Sequence, residues 1–576
     1  MTQRTRRLGL VVALAAGSPL LGAGRGHALP PGAPKIGMVC TPGAVTGTTH
    51  TFNLVTMAGH ISTPDGNDVL MWSYANADPP DDGAFQFPGP VLCVTQGETV
   101  VVNLRNTLPE PSSIVFPGQE GVSSIGGSPG LLASEAAPNG TVAYTFAASS
   151  PGTYVYESGS NIAKQLEMGL HGALVVRPSL GANYAYDATT QFDPSREYLN
   201  LVSELDPDLH HAVETGATYD FTKLRNRYFT VNGRAFPDTI QDNGSALLPS
   251  QPYGALVRIQ PNDAGTNPLP ALIRMINAGA LNHPYHPHGN HLRQIAQDGR
   301  LLRDPAGTSS ASTERFGETI GSGQTQDYLL RWDDQDHWNP NGPPVQRLLP
   351  QPNYRSLVFK NGVTWYGGNP YLGYKGTLPT GTASLNVCGE WYFPWHSHAL
   401  NEFTNFDEGF GGMATLLRVD PPGGCFTFPT STRILVGTLN GGTVANLGLD
   451  DAKYYKVNSA TTGNPRVTDW YGQFSGVPAG AANLAVTYEG NDSLGATPQT
   501  LFIWAWTANA WDQISFVPNV GTTDLTVTSA TIASPASYIG RGANNGLVRV
   551  RVLTTHTGTA SFVTSGDLMK LVYDAP

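Results

Sequence analysis

Cysteine, charge and long apolar runs are all scarce in this chain. Its 576 residues include 4 cysteines, and only 13% of residues are charged, whereas there are 66 glycines and 45 prolines. So little charge leaves few residues for long charged helices, while the glycines and prolines suit short strands joined by turns. The chain is therefore predicted to be all-β, and its length predicts three or four structural units.

A basic surface is missing as well. The net charge is −11, from 33 Lys and Arg against 44 Asp and Glu, and no long basic run occurs beyond the N-terminus. Nucleic-acid binding therefore has no support.

Residues 1–28 are typical of an export signal peptide: a basic start, an apolar stretch from Leu8 and small residues up to Ala28. The general export route is favoured, although Arg6-Arg7 also resembles a twin-arginine signal. The apolar stretch is too short to span a membrane, and no other segment has about 20 apolar residues. The mature protein is expected to be extracytoplasmic, either periplasmic or secreted, with no membrane span.

An even set of cysteines in an exported chain favours disulfides. Of the three possible pairings, Cys40–Cys93 with Cys388–Cys425 is preferred. Cys388 begins a predicted strand close to the point where Cys425 leaves the antiparallel neighbour of that strand. The first pair then follows by elimination.

Strand-like runs fall into three regions. Residues 35–180 contain enough of them for one Greek-key β-sandwich. Residues 196–420 predict a second such unit, lengthened by Gly/Pro-rich insertions near 304–325 and 333–382. Beyond the Pro/Gly boundary, residues 430–576 predict a separate C-terminal β-sandwich module.

The C-terminal module has no obvious metal chemistry, because its one histidine is His556. Its tryptophans Trp504, Trp506 and Trp511 allow two interpretations. Exposed, they would form a face on which sugars stack. Trp504 and Trp506 lie two apart on a strand, however, and the favoured interpretation is that they share a core face.

Six of the 14 histidines lie in two short motifs. The first motif reads NHPYHPHGNH over residues 282–291, and the second is His396-Ser397-His398. Histidines two apart on a strand point the same way, so two such pairs can converge on a metal ion. The alternative is a hydrogen-bonded polar plug that holds no metal.

These motifs resemble those of the multicopper oxidases. The pattern His-Pro-x-His-x-His-Gly occurs at residues 283–289, and residues 393–419 read FPWHSHALNEFTNFDEGFGGMATLLRV. The layout is most similar to the two-domain, laccase-like members, and the resemblance extends from His50 to Val419. It implies two cupredoxin-like domains, copper as cofactor, a small-molecule reductant and assembly as a homo-trimer.

The resemblance also implies roles for individual residues. It places His283 at a blue-copper position, and it places four histidines at positions of the three-copper cluster: His286, His288, His396 and His398. Ser397 stands where the family has the blue-copper cysteine, and Glu402 stands where a later blue-copper histidine is expected. A serine hydroxyl is a poor ligand for Cu(I), so no blue copper is expected.

The first-domain ligands of the family are missing too. Its His-Trp-His-Gly motif is replaced by VFPG at residues 115–118, and its Tyr-His-Ser-His motif by YESG at residues 156–159. Half of the cluster ligands cannot hold three coppers, so a laccase-type reduction of oxygen is not expected. The remaining ligands suit one copper, with zinc as the alternative. Glu157 can still coordinate or act as a base, from the first domain or from a neighbouring subunit.

Two functions stay open at this point. One is a redox enzyme whose single copper oxidises a small reductant, with Glu157 as base or hydrogen-bond acceptor. The other is a catalytically inactive metal-binding or structural protein, whose C-terminal module attaches to a polymer or cell surface. The retained histidines favour the first, and the lost cysteine and cluster ligands favour the second.

Overall fold

A computed structural model describes residues 29–30, 32–78, 83–262, 267–289, 291–332, 391–406, 411–420, 425–448, 450–461 and 465–574. Strands occupy 48% of the structure and helices 8%. The strands form sandwiches of paired sheets, which confirms the all-β, sandwich prediction. In the described residues, no helix is both long and apolar enough to cross a membrane. The predicted signal peptide lies outside these residues.

The first region consists of two sheets around one core. Its elements are β1 (Ala44–Thr46), β2 (Thr49–Ser62), β3 (Asp68–Asn76), β4 (Leu92–Thr95), β5 (Thr99–Asn106), β6 (Ser123–Gly126), β7 (Ser128–Pro129), β8 (Ser134–Glu135), β9 (Thr141–Ala147), β10 (Gly152–Glu157), α1 (Ile162–Gln165) and β11 (His171–Arg177). One sheet has the order β1-β2-β5-β9-β6 with β3 beside β2, and the other has the order β10-β11-β4. Apolar and polar residues alternate in β5, so Val100, Val102 and Leu104 enter the core between the sheets.

The second region repeats this arrangement with larger sheets. Its elements are β12 (Glu197–Leu205), α2 (Pro207–Thr215), β13 (Tyr228–Val231), β14 (Val257–Ile259), β15 (Ala271–Asn277), β16 (His283–Pro287), β17 (Leu292–Gln297), β18 (Arg300–Leu301), β19 (Thr313–Arg315), β20 (Glu318–Ile320), β21 (Thr325–Leu330), β22 (Trp391–Ser397), α3 (Leu400–Phe403) and β23 (Ala414–Val419). The sheet orders are β13-β12-β15-β21-β17-β18, with β19 beside β17, and β14-β23-β22-β16-β20. The predicted insertion at 304–325 contains β19 and β20, and the one at 333–382 lies outside the described residues.

The first two regions pack face to face. Val155 and Val175 of the β10-β11-β4 sheet join Leu199 and Leu201 of β12 in one apolar cluster. Arg274 of β15 is fully buried at this contact, where it donates a hydrogen bond to Glu197 Oε1 and another to Thr153 Oγ1, both at 2.8 Å. A buried guanidinium is tolerated only with such partners. Because Thr153 comes from the first region, its hydrogen bond with Arg274 fixes how the two regions meet.

The C-terminal region forms a third sandwich. Its strands are β24 (Cys425–Thr427), β25 (Ser431–Val436), β26 (Thr438–Gly441), β27 (Tyr455–Asn458), β28 (Ala460–Thr461), β29 (Arg466–Phe474), β30 (Ala482–Asp492), β31 (Thr497–Ala505), β32 (Ala510–Val520), β33 (Leu525–Thr528), β34 (Val548–His556) and β35 (Val563–Asp574). One sheet has the order β26-β27-β35-β30-β33 with β24 beside β35, and the other has the order β25-β29-β34-β31-β32 with β28 beside β29.

The favoured interpretation of the tryptophans was wrong. In β31 the buried positions are Leu501 and Ile503, whereas Phe502 and Trp504 are half-exposed on the outer face of the sheet. Trp504 packs there against Trp511, with ring centroids 5.0 Å apart. Phe502 and Trp504 lie two apart on the face of β31 that is turned away from the core, whereas Trp506 lies in the turn that follows the end of β31 at Ala505.

One predicted disulfide is confirmed, and it joins Cys40 and Cys93. Cys388 lies outside the described residues, so the pairing of Cys388 with Cys425 stays a prediction.

The C-terminal module is expected to fold alone, because its core residues pack on one another and its two sheets contain strands only from the described residues 425–574. A fragment of residues 430–576 should give one cooperative urea transition, and a fragment of residues 29–429 should keep its metal binding. A fragment of residues 425–576 is the matched control, because β24 pairs with β35 and should raise the midpoint. An aggregated or disordered C-terminal fragment would contradict an autonomous module.

Candidate metal centre

The pairing of β16 with β22 decides where the histidines point. The strands are antiparallel, and His286 lies opposite His396. Backbone hydrogen bonds extend this register: the His288 N–H donates to Pro394 O at 2.9 Å, and the His398 N–H donates to Pro284 O at 2.7 Å. Since residues two apart share a face, all four of these histidines lie on one face of the strand pair.

The four imidazoles form one cluster. Their ring centroids are 4.9 Å apart for His286 and His288, 5.2 Å for His288 and His396, and 5.3 Å for His286 and His398. Imidazoles that bind one tetrahedral ion at about 2.0–2.1 Å would have ring centres roughly 5 Å apart. Two further pairs are wider, at 6.0 Å for His286 and His396 and 5.9 Å for His396 and His398, so only three of the ring pairs have the spacing of ligands to one ion.

The rings are nevertheless not arranged around an ion. Among the described residues, no three His, Cys, Asp or Glu side chains meet in a geometry ready to hold a metal. The Nε2 atoms of His288 and His396 lie 3.1 Å apart and face each other. Metal binding through this cluster therefore requires rotation of at least one ring.

The surroundings favour neutral imidazoles. The Nδ1 of His396 lies 2.7 Å from Ser397 O, so Nδ1 carries the proton and Nε2 offers its lone pair. Burial lowers the pKa of His286, His288 and His396, and the positive charge of neighbouring imidazoles lowers each pKa further. Neutral imidazole is the form that binds metal, so protonation of these three rings does not oppose binding at neutral pH once a ring has rotated.

His283 points the other way, into the buried interior. Its Nδ1 lies 2.9 Å from Glu402 Oε2, the partner that the sequence predicts. Its Nε2 lies 2.9 Å from Glu204 Oε2. The Ser397 hydroxyl donates to Glu402 Oε2 at 2.5 Å. The pocket around His283 thus holds a Glu204–His283–Glu402 triad, in which both ring nitrogens contact carboxylates.

The triad carries charge inside the protein. Burial alone would lower the pKa of His283, but hydrogen bonds to Glu204 and Glu402 outweigh it and raise the pKa to about 9. Glu204 Oε1 also accepts backbone N–H groups of Ala280 at 2.6 Å and Leu281 at 2.8 Å. Protonated His283 therefore lies between two carboxylates whose oxygens are hydrogen-bonded.

Glu204 was missed by sequence reasoning. The sequence feature that could have identified Glu204 is its acidic side chain within the apolar run YLNLVSEL. In the structure every position of β12 is buried. A buried carboxylate requires a partner, which makes such a residue a candidate member of a polar site.

Glu157 lies apart from the histidine cluster. It ends β10, where its backbone pairs with Val115 and its register partner on β11 is His171. Burial raises the pKa of Glu157, and burial lowers the pKa of His171 to about 4. Within the part of the chain that the structure describes, no hydrogen bond or ion pair joins Glu157 to the four clustered histidines.

The triad is expected to make stability depend on pH. The pKa of His283 rises from 6.5 to about 9 on folding, so roughly 3 kcal/mol of stability is present below pH 6.5 and is lost as pH rises towards 9. Glu402→Ala should lower the free energy of unfolding by roughly 3–5 kcal/mol at pH 6, less at pH 9.5, and leave metal content unchanged. Urea unfolding of the wild-type and Glu402→Ala proteins between pH 6 and pH 9.5 measures this change in the free energy of unfolding.

His60→Gln is the matched control for that series, because His60 pairs with Glu214 on the surface at 2.9 Å, with side chains 48% and 42% exposed. Such exposed pairs contribute little to stability. A Glu402→Ala effect that does not change with pH, or a loss of metal at unchanged stability, would contradict a charged triad.

Residues 84–180 match the family model described as multicopper oxidase. Copper resistance protein A of Escherichia coli is 28% identical over 180 residues, which are 31% of this chain and 27% of that protein. Laccase-2 of Cryptococcus neoformans var. grubii is 26% identical over 294 residues, 49% of this chain and 45% of that protein. The matched part thus spans about a quarter to a half of these relatives.

Among solved structures, the blue copper oxidase from Nitrosomonas europaea aligns with a TM-score of 0.43 and 19% identity, covering 65% of this chain and 86% of that one. The family match lies in the first region, where the chain has VFPG and YESG in place of histidine pairs. By this match and these relatives, the chain is a multicopper oxidase-like protein of cupredoxin fold.

Proposed function

We propose that this chain binds one copper ion through His286, His288, His396 and His398, and that it does not act as a laccase. The observation that carries the proposal is the single face of four imidazoles on β16 and β22, three pairs of which have a spacing that fits one ion. Imidazole ligands suit Cu(II) and Zn(II), and the relationship to copper proteins favours copper.

His283 is assigned to the buried triad and not to the metal. A copper ion at its Nδ1 would displace Glu402, and the Ser397 hydroxyl offers no thiolate in return. The residues of this pocket therefore do not fit a blue copper, and the pocket does not supply the electron-accepting centre that such a copper provides.

Copper in the four-histidine site would supply one-electron redox chemistry, and we propose that the activity is one-electron oxidation of a small reductant, with a soluble electron acceptor taking the electron from the reduced copper. The chain's own residues orient the ligands: the Ser397 carbonyl fixes the His396 tautomer, and Phe403 packs on that ring with centroids 4.5 Å apart. His398 is exposed beside them and leaves the site open to a small molecule.

A metal-binding protein without turnover is the second candidate. The triad favours this second candidate, because the triad fills the pocket where the resemblance places a blue copper with satisfied hydrogen bonds. Both candidates share an extracytoplasmic location, which is supported by the signal-like residues 1–28 and by the Cys40–Cys93 disulfide.

The mature chain is expected to retain about one copper ion per chain after dialysis. The double change His396→Ala with His398→Ala should abolish binding, because it removes half of the imidazole face. The matched control is His60→Ala with His211→Ala, two exposed histidines that contact Glu214. Elemental analysis and titration calorimetry provide the measurement. Stoichiometric copper in the first double variant would reject the site.

The copper-loaded protein is expected to lack intense absorption near about 600 nm, because that band requires a thiolate ligand. Ser397→Cys alone should restore no oxidase activity, since Glu402 still stands in the place of a histidine. Absorption and electron paramagnetic resonance spectra check this. A strongly blue wild-type protein would overturn the assignment of the motif.

Glu157 can reach the copper only from a neighbouring copy, since no contact joins it to the cluster in the described part of one chain. We therefore expect Glu157→Gln to weaken copper binding by about 10–100-fold in a trimer. Calorimetry combined with the solution mass by light scattering tests this. If a trimer of the Glu157→Gln variant binds copper with unchanged affinity, Glu157 is not part of the site and the copper is bound by the histidines of one chain.

A further inference from the structure

The outer face of the β25-β29-β34-β31-β32 sheet is rich in aromatic side chains. We define the aromatic face by five residues: Tyr471, Phe502, Trp504, Trp506 and Trp511. Phe502 and Trp504 alternate along β31 with core residues, and both are half-exposed, as are Trp506 and Trp511. The core of this module is complete without them, since Trp470 of β29 is fully buried on the opposite side.

The rings hold one another in fixed positions. Trp504 packs edge-on against Trp511, with centroids 5.0 Å apart, and Tyr471 lies 5.8 Å from Trp511. The indole N–H of Trp506 donates to Leu547 O at 3.0 Å. Rings that are already immobilised lose little conformational entropy when a ligand stacks on them.

Two arginines of β34 lie between the rings. Arg551 is neutralised by Asp469 through hydrogen bonds of 2.7 and 2.6 Å. Arg549 lies over Trp506 at 4.7 Å and donates to Gln473 Oε1 at 2.8 Å, and in the described residues no carboxylate pairs with it. The aromatic face therefore combines flat apolar surfaces with an uncompensated guanidinium.

We propose that the aromatic face binds a polysaccharide, with sugar rings stacked on Trp504 and Trp511 and their hydroxyl or carboxylate oxygens bound by Arg549. A pyranose has apolar C–H faces and a polar rim, which matches rings interleaved with hydrogen-bond donors. Phe516, 54% exposed on β32 opposite Thr500, extends the same side. Nucleic acid fits poorly, because the protein has a net charge of −11. This site is independent of the copper proposal.

The test uses the full-length mature protein in affinity electrophoresis and depletion assays. Cellulose and xylan represent neutral polymers, and polygalacturonate represents acidic ones. The wild-type protein should bind at least one of them, and Trp504→Ala with Trp511→Ala should weaken that binding about tenfold or more. Arg549→Gln should weaken binding to polygalacturonate more than to a neutral polymer.

Tyr454→Ala is the matched control, because Tyr454 is a half-exposed ring in contact with Lys456, 5.4 Å from its ammonium, outside the aromatic face. It should leave binding unchanged, and copper content should be equal in all variants. A soluble oligosaccharide should also shift the tryptophan fluorescence of the wild-type protein. This measurement does not depend on whether a variant folds.

Three results would overturn the proposal. They are absence of binding to every polymer, equal binding by the double tryptophan variant, and a dimer that this variant dissociates. The last result would assign the aromatic face to a second copy of the chain.

Discussion

The antiparallel register between β16 and β22 is the constraint on which both sites of the second sandwich depend. It sets His286 opposite His396 on the outer face, and Tyr285 opposite Ser397 in the interior. A slip of one residue would turn the histidine face inward and the polar interior outward, and the buried apolar neighbours make that slip costly. The histidine cluster and His283 of the triad thus lie on opposite faces of the same pair of strands.

The polar groups around His283 form a complete buried network. Ser397 without Glu402 would leave a hydroxyl in an apolar interior, and Glu402 without His283 would leave a buried carboxylate uncompensated. Together with Glu204 they satisfy one another, and His283 stays protonated at neutral pH. Such an arrangement tolerates burial only while it is complete, so its members are expected to change together.

Short-range patterns predicted much of this structure. Alternation gave the all-β fold, and two-residue spacing gave the shared face of His396 and His398. Glu204 was missed because its contact with His283 joins different sheets, which no local pattern encodes. Trp504 was placed on the wrong side because a period of two cannot say which face of a strand is the core. Glu157 was grouped with the histidines by the family resemblance, whereas its neighbours in the described residues are Val115 and His171 on adjacent strands.

Residues 84–180 of the first sandwich match the multicopper oxidase family model, although they read VFPG at 115–118 and YESG at 156–159. Packing explains why this sandwich persists. Thr153 accepts a hydrogen bond from Arg274 and donates one to Asp327 at 2.6 Å, and Val155 covers apolar residues of β12. Without the first sandwich, a fully buried guanidinium would lose a partner and an apolar sheet face would meet water. Structural dependence of this kind retains the first sandwich whether or not it supplies metal ligands.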